Sequence, residues 1–183
     1  KVTGTSLKDV VGANNLSVID EMIAEMETGY SDDSGFVNDA MQRGIDLEPF
    51  AVKDYIEKTG IEMIKHGFLQ SSEMLLLGYS PDGLTDDKKG GLEVKCPSTK
   101  KHVQYIRQNQ LPNDYKWQII CAFIVNPDLE WMDFVSYDPR FTKKPLFIHR
   151  THRSDVQDVI NSTITTLTKF FTKFEQIKSE VLF

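Results

Sequence analysis

The sequence predicts an α/β domain in which a mixed central β-sheet is flanked by helices. Segments with apolar residues at helical spacing alternate with short apolar runs bounded by turn residues. The 183 residues are 40% hydrophobic and 26% charged, which is ordinary for a chain with one sizeable core. No repeat, low-complexity tract or linker divides the sequence. We therefore expect a single domain over residues 1–183.

The first sixty residues predict helices. Apolar residues recur at helical spacing in residues 7–11 and 16–26. Residues 36–59 predict a long helix that is kinked or broken at Pro49, because proline cannot donate the hydrogen bond that a helix interior needs. Gly60 tolerates the left-handed backbone that is typical of a helix end.

A group of strands follows these helices. Residues 61–70, 74–79 and 92–95 predict strands, and the polar, glycine-rich residues 86–91 predict the turn before the last one.

The remaining residues predict a helix pair, two strands and a terminal helix. Ser98 is a suitable N-cap residue for the first of these helices, and Ser154 with Gln157 has the spacing of a capping box. The predicted helices are residues 98–107, 115–125 and 154–183, and the predicted strands are residues 131–137 and 146–150.

Charge and cysteine content narrow the classes of function. The formal net charge of −6 argues against nucleic acid unless cations gather on one surface. Cys96 and Cys121 lack zinc-ligand spacing, so we expect free thiols in a reducing compartment. No apolar run reaches the roughly 20 residues of a membrane span. Many cations do gather in the second half, which allows a cationic groove: Lys95, Lys100, Lys101, Arg107, Lys116, Arg140, Lys143, Lys144, Arg150 and Arg153.

One part of the sequence carries recognisable chemistry: the turn Ser80-Pro81-Asp82-Gly83, followed by the apolar run Gly91-Leu92-Glu93-Val94-Lys95. Residues two apart in a strand share a face, so Glu93 and Lys95 point to the same side while their neighbours point to the core. A tight hairpin between the turn and the strand would bring Asp82 beside them. An unneeded charged pair in an apolar strand is costly, which favours a functional site.

These three side chains are suited to phosphodiester hydrolysis. Two carboxylates at a sheet edge suit Mg²⁺, with Mn²⁺ able to substitute, because these cations prefer oxygen ligands. A nearby lysine can position or help deprotonate a metal-bound water, and the metal offsets charge on a phosphorane-like centre. The same turn and the same charged pair also occur in ordinary hairpins and on solvated strand faces.

Longer motifs resemble one nuclease family. Residues 80–84 and 91–97 resemble the PD-(D/E)xK nuclease superfamily, and within it the lambda-type (YqaJ-like) phage recombination exonucleases. The resemblance implies a restriction-endonuclease-like core. Further stretches resemble the family in the right order along the chain: Gly4-Thr5-Ser6, Arg43-Gly44-Ile45-Asp46-Leu47-Glu48-Pro49, Tyr115-Lys116-Trp117-Gln118 and Ser136-Tyr137-Asp138-Pro139-Arg140.

The resemblance implies a metal site built from acidic residues. Asp82 and Glu93, with the carbonyl of Val94, would bind the catalytic Mg²⁺. Glu48 would support a second or shared metal position.

The resemblance also implies roles around the attacking water and the DNA end. Lys95 would act on the water, and Gln118 would orient that water or the lysine. Ser6 and Ser80 would receive a terminal 5′-phosphate. The family arginine that grips this phosphate would fall before Lys1, where we expect further sequence because the chain does not open on methionine.

The implied activity is that of an Mg²⁺-dependent 5′→3′ exonuclease on double-stranded DNA, which releases mononucleotides and leaves 3′ single-stranded overhangs. Family members work beside a phage single-strand annealing protein, and several form trimeric rings on DNA ends. We therefore expect a homo-oligomer acting in the cytoplasm of a bacterial host. Two alternatives stay open: a structure-specific or site-specific endonuclease of the same superfamily, and a non-catalytic DNA-binding module that retains the fold.

Overall fold

The N-terminal part of the chain is helical in the computed structural model, which describes residues 1–13, 15–30 and 38–183. Helix α1 spans Leu7–Val11 and helix α2 spans Asn15–Thr28. Both helices were predicted from apolar spacing, and α2 buries the face that carries Val18, Ile19, Met22 and Ile23.

Helix α3 spans Asp39–Thr59 and begins and ends at well-formed caps. The Asn38 side chain accepts hydrogen bonds from two backbone N–H groups of the first turn, and Gly60 ends the helix with a φ of 71°. The predicted start at Phe36 lies outside the described residues. The helix is not broken at Pro49, because this residue lies on an exposed side where water can satisfy the carbonyl that loses its donor.

The central sheet has the predicted mixed character. Its strands are β3 (Gly83–Leu84), β4 (Gly90–Lys95), β5 (Trp131–Tyr137) and β6 (Leu146–His152). They lie in this order across the sheet, in which β4 and β5 are parallel and the two outer pairs are antiparallel.

The parallel connection from β4 to β5 runs through two helices, as parallel pairing requires. Helix α4 spans Thr99–Gln108, helix α5 spans Lys116–Val125, and both were predicted. Ser98 caps α4, and a short 3-10 turn at Asn113–Tyr115 leads into α5.

Two strand predictions were largely wrong. Residues 61–70 and 74–79 contribute only the two-residue strands β1 (Leu69–Gln70) and β2 (Gly78–Tyr79), which pair with each other outside the main sheet. Ile64 makes a single bridge to Leu84. The first segment crosses the edge of the sheet instead of extending a ladder, so most of its apolar residues stay partly or largely exposed.

The last helix, α6, spans Gln157–Leu182, but the predicted capping box at its start is wrong. A 3-10 turn at Arg153–Val156 precedes the helix, and the Ser154 hydroxyl donates to Asp155 instead of capping it. Arg153 fixes this turn by donating to backbone carbonyls of the α5–β5 connection.

Helices cover both faces of the sheet. Leu92, Val94 and Val135 pack with Tyr55 of α3 on one face. On the other face, Phe134 packs with Tyr105 of α4, and a larger cluster joins α1, α2, α5 and α6. Both cysteines are buried free thiols, as predicted. Nowhere in residues 1–13, 15–30 or 38–183 is there a helix with the length and apolar character to cross a membrane.

Candidate active site

Strand β4 places Glu93 and Lys95 on the same face of the sheet, as predicted. Glu93 pairs in register with Phe134 and Lys95 with Ser136, so both point towards the side covered by α4 and α5. The alternate residues of the strand pack against α3 on the opposite face. Glu93 is only 7% exposed, which makes it a charge held in the protein interior.

The turn before β3 brings Asp82 next to Glu93. The Asp82 N–H donates to the carbonyl of Leu92 at 3.2 Å, and Gly83 is the register partner of Leu92 in the antiparallel pair. The Asp82 Oδ2 atom accepts a hydrogen bond from the Val94 N–H at 2.6 Å. These backbone contacts fix the carboxylate at the rim of the sheet, where the sequence placed it.

The electrostatics of Asp82 are those of a crowded acidic site. Burial raises the pKa of Asp82 to about 7, and the negative charges of Glu93 and Glu48 add to this rise. The hydrogen bond from Val94 and the charge of Lys95 act in the opposite direction without cancelling it. The three carboxylates therefore lie close enough to disfavour ionisation of one of them.

Lys95 is held in its charged form by the same carboxylates. Its Nζ lies 2.6 Å from Oε1 of Glu93. Burial acts to lower the pKa of Lys95, but the charges of Glu93, Asp82 and Glu48 outweigh burial and raise the pKa. Lys95 is therefore protonated and donates a hydrogen bond to Glu93.

Helix α3 brings Glu48 to the same groove. A groove of about 640 Å³ is lined by Glu48, Asp82, Val94 and Lys95, together with residues from the start of α3 and of α4. The Glu48 Oε1 atom is 3.0 Å from the Nζ of Lys65, a half-exposed ion pair. The structure thus brings together the acidic and lysine residues that the sequence predicted for the site.

The donor set fits a hard divalent cation in its chemistry. The carboxylates repel one another, because the charges of Glu93 and Glu48 raise the pKa of Asp82. A cation between the carboxylates would remove that repulsion. Each carboxylate meanwhile has its own partner: Val94 N–H for Asp82, Lys95 for Glu93 and Lys65 for Glu48. Within the described ranges, no three acidic, histidine or cysteine side chains form a ready metal-binding group. Each of these contacts uses one oxygen of its carboxylate, so a second oxygen remains that a cation could bind.

Gln118, on α5, has a buried polar atom that lacks a partner. Its Oε1 atom makes no hydrogen bond to any described residue, while its Nε2 donates to the Thr5 hydroxyl at 3.4 Å. A buried amide oxygen is normally satisfied, so this atom marks a place for a water or a donor supplied on binding. No hydrogen bond to Lys95 is formed among the residues that the structure describes.

Neither of the two serines predicted to bind a 5′-phosphate lines this groove. Ser6 accepts a hydrogen bond from the Thr3 N–H at 2.9 Å and lines a second groove of about 900 Å³. This second groove is lined by a cation, Lys1, and by the acidic residues Asp9, Glu21 and Glu25. Ser80 is exposed, two residues before Asp82.

Tyr115 is a site residue to which the sequence analysis gave no role. Lys95 Nζ lies 5.4 Å from the centroid of its ring, within the range of a cation–π contact. The ring stacks on Phe134 with centroids 5.0 Å apart and meets Tyr105 edge to face. Tyr115 therefore holds the lysine ammonium from a fixed position. Tyr115 lies three residues before Gln118 in the same motif, and this position could have indicated a role at the site.

Several of the predicted groove cations are committed elsewhere. Arg140 forms an ion pair with Asp138, and Arg150 forms one with the buried Asp133. Arg153 donates to backbone carbonyls. Lys95 and Lys101 are the members of the predicted set that line the groove, and Arg43 of α3, which was not in that set, lines it too.

Solved structures share this architecture. An alkaline exonuclease, LHK-Exo from Laribacter hongkongensis, is 32% identical with a TM-score of 0.87, over 99% of this chain and 91% of that one. The same protein in complex with dAMP gives 31% identity and a TM-score of 0.82, over 99% and 93%. A phage-related exonuclease from Haemophilus somnus 129PT, at 17% identity and a TM-score of 0.65 over 99% and 96%, shares the fold alone.

The fold and the site therefore define a DNA nuclease. A sequence comparison with curated proteins finds no match. Residues 1–126 match the YqaJ-like viral recombinase domain, and the chain belongs to that family.

Proposed function

We propose that this protein is an Mg²⁺-dependent 5′→3′ exonuclease of phage recombination that acts on double-stranded DNA. It hydrolyses one strand to mononucleotides and leaves a 3′ single-stranded overhang. The observation that carries the proposal is that Asp82, Glu48 and Lys95 line one groove, while the buried Glu93 pairs with Lys95 and raises the pKa of Asp82. Mononucleotide release is supported by the related LHK-Exo, which has been solved in complex with dAMP.

Acidic residues at the groove would hold the metal. Asp82, Glu93 and the Val94 carbonyl would bind Mg²⁺ or Mn²⁺, and Glu48 would support the same ion or a second one. When bound, the metal lowers the pKa of a water and offsets the negative charge that builds on the phosphate.

Two side chains act on the water that attacks the phosphate. Lys95 positions this water at the rim of the sheet, with its ammonium held by Glu93 and by the Tyr115 ring. Gln118 accepts a hydrogen bond from the water or from Lys95 through its unpaired Oε1 atom.

Ser6 and Ser80 bind the 5′-phosphate of the DNA end. Both have hydroxyl groups at or near the surface, and Ser80 lies two residues from Asp82. This arrangement would place a terminal nucleotide between the phosphate-binding serines and the metal, as an enzyme that acts from an end requires.

The chain is one nuclease domain that assembles as a homo-oligomer, a trimeric ring by analogy with its family. Its partners are double-stranded DNA ends and a phage single-strand annealing protein, and it works in the cytoplasm of the bacterial host. The family membership of residues 1–126 supports this setting.

Digestion of linear duplexes labelled at either end, with and without a 5′-phosphate, tests the proposal. We expect Mg²⁺-dependent release of labelled mononucleotide from the 5′ end, a 3′ overhang, and no cleavage of closed circular duplex. Lys95→Ala, Asp82→Ala and Glu93→Ala should abolish cleavage while DNA binding persists.

Other results would reassign the activity. Cleavage of closed circles would make the protein an endonuclease, and undiminished cleavage in the carboxylate variants would refute the metal site. Absence of cleavage in the unmodified protein with Mg²⁺ and Mn²⁺ would leave a DNA-binding module.

A further inference from the structure

Arg43 is anchored immediately beside the predicted catalytic residues. It lies on α3, and its Nε and Nη2 atoms donate to the carbonyl of Cys96 at 3.3 and 3.2 Å. Cys96 directly follows Lys95, and the half-buried Arg43 lines the same groove as Glu48, Asp82 and Lys95. The anchor therefore fixes a guanidinium at the wall of the groove.

The charge of Arg43 is not neutralised by a described carboxylate. In the ranges that the structure covers, Arg140 and Arg150 are ion-paired, whereas Arg43 makes hydrogen bonds only to a backbone carbonyl. A guanidinium has five N–H donors, so most of those on Arg43 are not used by this anchor. Because the Arg43 guanidinium is already held in place, it loses little conformational entropy when it binds an oxyanion.

The groove needs such a cation if a nucleic acid strand is to enter it. Asp82, Glu93 and Glu48 repel a phosphodiester, and Lys95 is already paired with Glu93. Among the lining residues, Arg43 and Lys101 are the other positive charges.

We propose that Arg43 binds a backbone phosphate of the DNA strand that is cut, adjacent to the phosphate at the metal site, with Lys101 on the same groove wall. This inference rests on the proposed function, because it assigns a substrate contact to the same groove. Arg43 is a substrate-binding residue here and does not touch the reacting atoms.

Salt-dependent DNA binding tests the contact without relying on cleavage. Affinity for a fluorescent duplex is measured by anisotropy in EDTA over roughly 50 to 200 mM salt, where each phosphate contact adds about 0.9 to the steepness of log affinity against log salt. Arg43→Gln removes the charge but keeps an amide donor for the Cys96 carbonyl. We expect the slope to fall by about 0.9 and the affinity to weaken by about tenfold.

Two further variants separate this contact from a structural role. Lys53→Gln removes an exposed charge from the same helix, where it pairs with Glu57, and should leave the slope unchanged. Arg43→Lys keeps the positive charge but loses the two-pronged hydrogen bonding of the guanidinium. It should therefore keep the slope of log affinity against log salt and weaken binding several-fold. With Mg²⁺, Arg43→Gln should raise KM while kcat stays within about threefold of the unmodified value.

The outcomes distinguish this proposal from the proposed function. An unchanged slope in folded Arg43→Gln, as judged by thermal unfolding, overturns the phosphate contact even if the protein is a nuclease. Should Arg43→Gln fail to fold, Arg43→Lys is used instead, and an affinity equal to that of the unmodified protein overturns the contact. If the unmodified protein binds DNA through Arg43 but does not cleave it, the nuclease proposal fails alone.

Discussion

At the scale of single residues, Asp82 connects the protonation of the site to the stability of the fold. Its pKa of about 7 in the folded protein is well above its ordinary value of 3.8. Between these values Asp82 binds more protons in the folded chain than in the unfolded chain, so the contribution of Asp82 to the stability of the metal-free protein falls as pH rises from about 4 to about 7. Above pH 7 the folded protein must carry the repelling carboxylates.

Asp82→Asn should therefore stabilise the metal-free protein at alkaline pH. The amide oxygen can still accept the hydrogen bond from Val94 N–H, while the repulsion with Glu93 and Glu48 is gone. In EDTA at pH 8 we expect a higher Tm for the variant, with a difference that shrinks towards pH 4. Mg²⁺ should raise the Tm of the unmodified protein only. A difference in Tm that does not depend on pH would contradict this origin.

Tyr115 should matter through its ring and not through its hydroxyl group. Tyr115→Leu removes the cation–π contact with Lys95. This contact stabilises the charged form of the lysine by about 0.5–2 kcal/mol. We expect kcat to fall by about tenfold with little change in KM, and the alkaline limb of the pH profile to move to lower pH. Tyr115→Phe should retain both properties. Equal impairment in the two variants would assign the effect to the hydroxyl.

The sequence reveals some site residues more readily than others. Glu93 and Lys95 share a strand face by simple alternation, and Asp82 is joined to them by one short hairpin, so local rules predict their meeting. Arg43 and Tyr115 reach the site through contacts between segments far apart in the chain. Only the packing of helices on the sheet determines such contacts.

At the scale of elements, the N-terminal segment supports α5 through a glycine. Gly4 is buried, and a Cβ atom there would lie 2.9 Å from Cα of Gln118, which is closer than real contacts allow. Gly4→Ala should shift the segment or the helix start, destabilise the fold by about 1–3 kcal/mol, and lower kcat because Gln118 moves. Urea unfolding and end-labelled digestion measure the two effects.

Gly67→Ala is the matched control for this substitution. A Cβ atom at Gly67 would meet nothing within 4 Å, so stability and activity should stay close to those of the unmodified protein. If Gly4→Ala behaves like this control, the close approach to α5 has no part in holding Gln118.

Helices were predicted better than the short strands, for a physical reason. Periodic apolar faces and local caps such as Asn38, Ser98 and Gly60 determine helices within their own segment. A strand also needs a partner edge, and residues 61–70 find only isolated pairing. The capping-box spacing at Ser154 failed because the anchored Arg153 imposes a 3-10 turn first.

At the scale of the whole molecule, the buried charges form two kinds of group, one on the α3 face of the sheet and one at the rim of the sheet. Asp133 is matched: Arg150 donates to both its oxygens at 2.8 Å, and Tyr55 donates to it at 2.6 Å. The group of Asp82, Glu93 and Glu48 has an excess of negative charge. The matched group joins α3, β5 and β6 and stabilises the fold, whereas the unmatched group carries a repulsion that a bound cation would relieve.

Arg150→Ala should separate these two roles. The variant leaves the carboxylate of Asp133, 1% exposed, with Tyr55 alone, and removes the guanidinium that stacks 3.7 Å above the Trp131 ring. We expect a loss of about 3 kcal/mol of unfolding free energy in urea titrations, because an uncompensated charge stays buried, and the loss is at the low end for such a pair because Arg150 is 35% exposed. Lys53→Ala, which breaks an exposed ion pair on α3, should change little. Cleavage by Arg150→Ala should be nearly normal at temperatures where it remains folded, since the network faces away from Glu93 and Lys95. A loss of kcat in the folded variant would show that the two faces of the sheet are coupled, so that stability and catalysis share one set of charges.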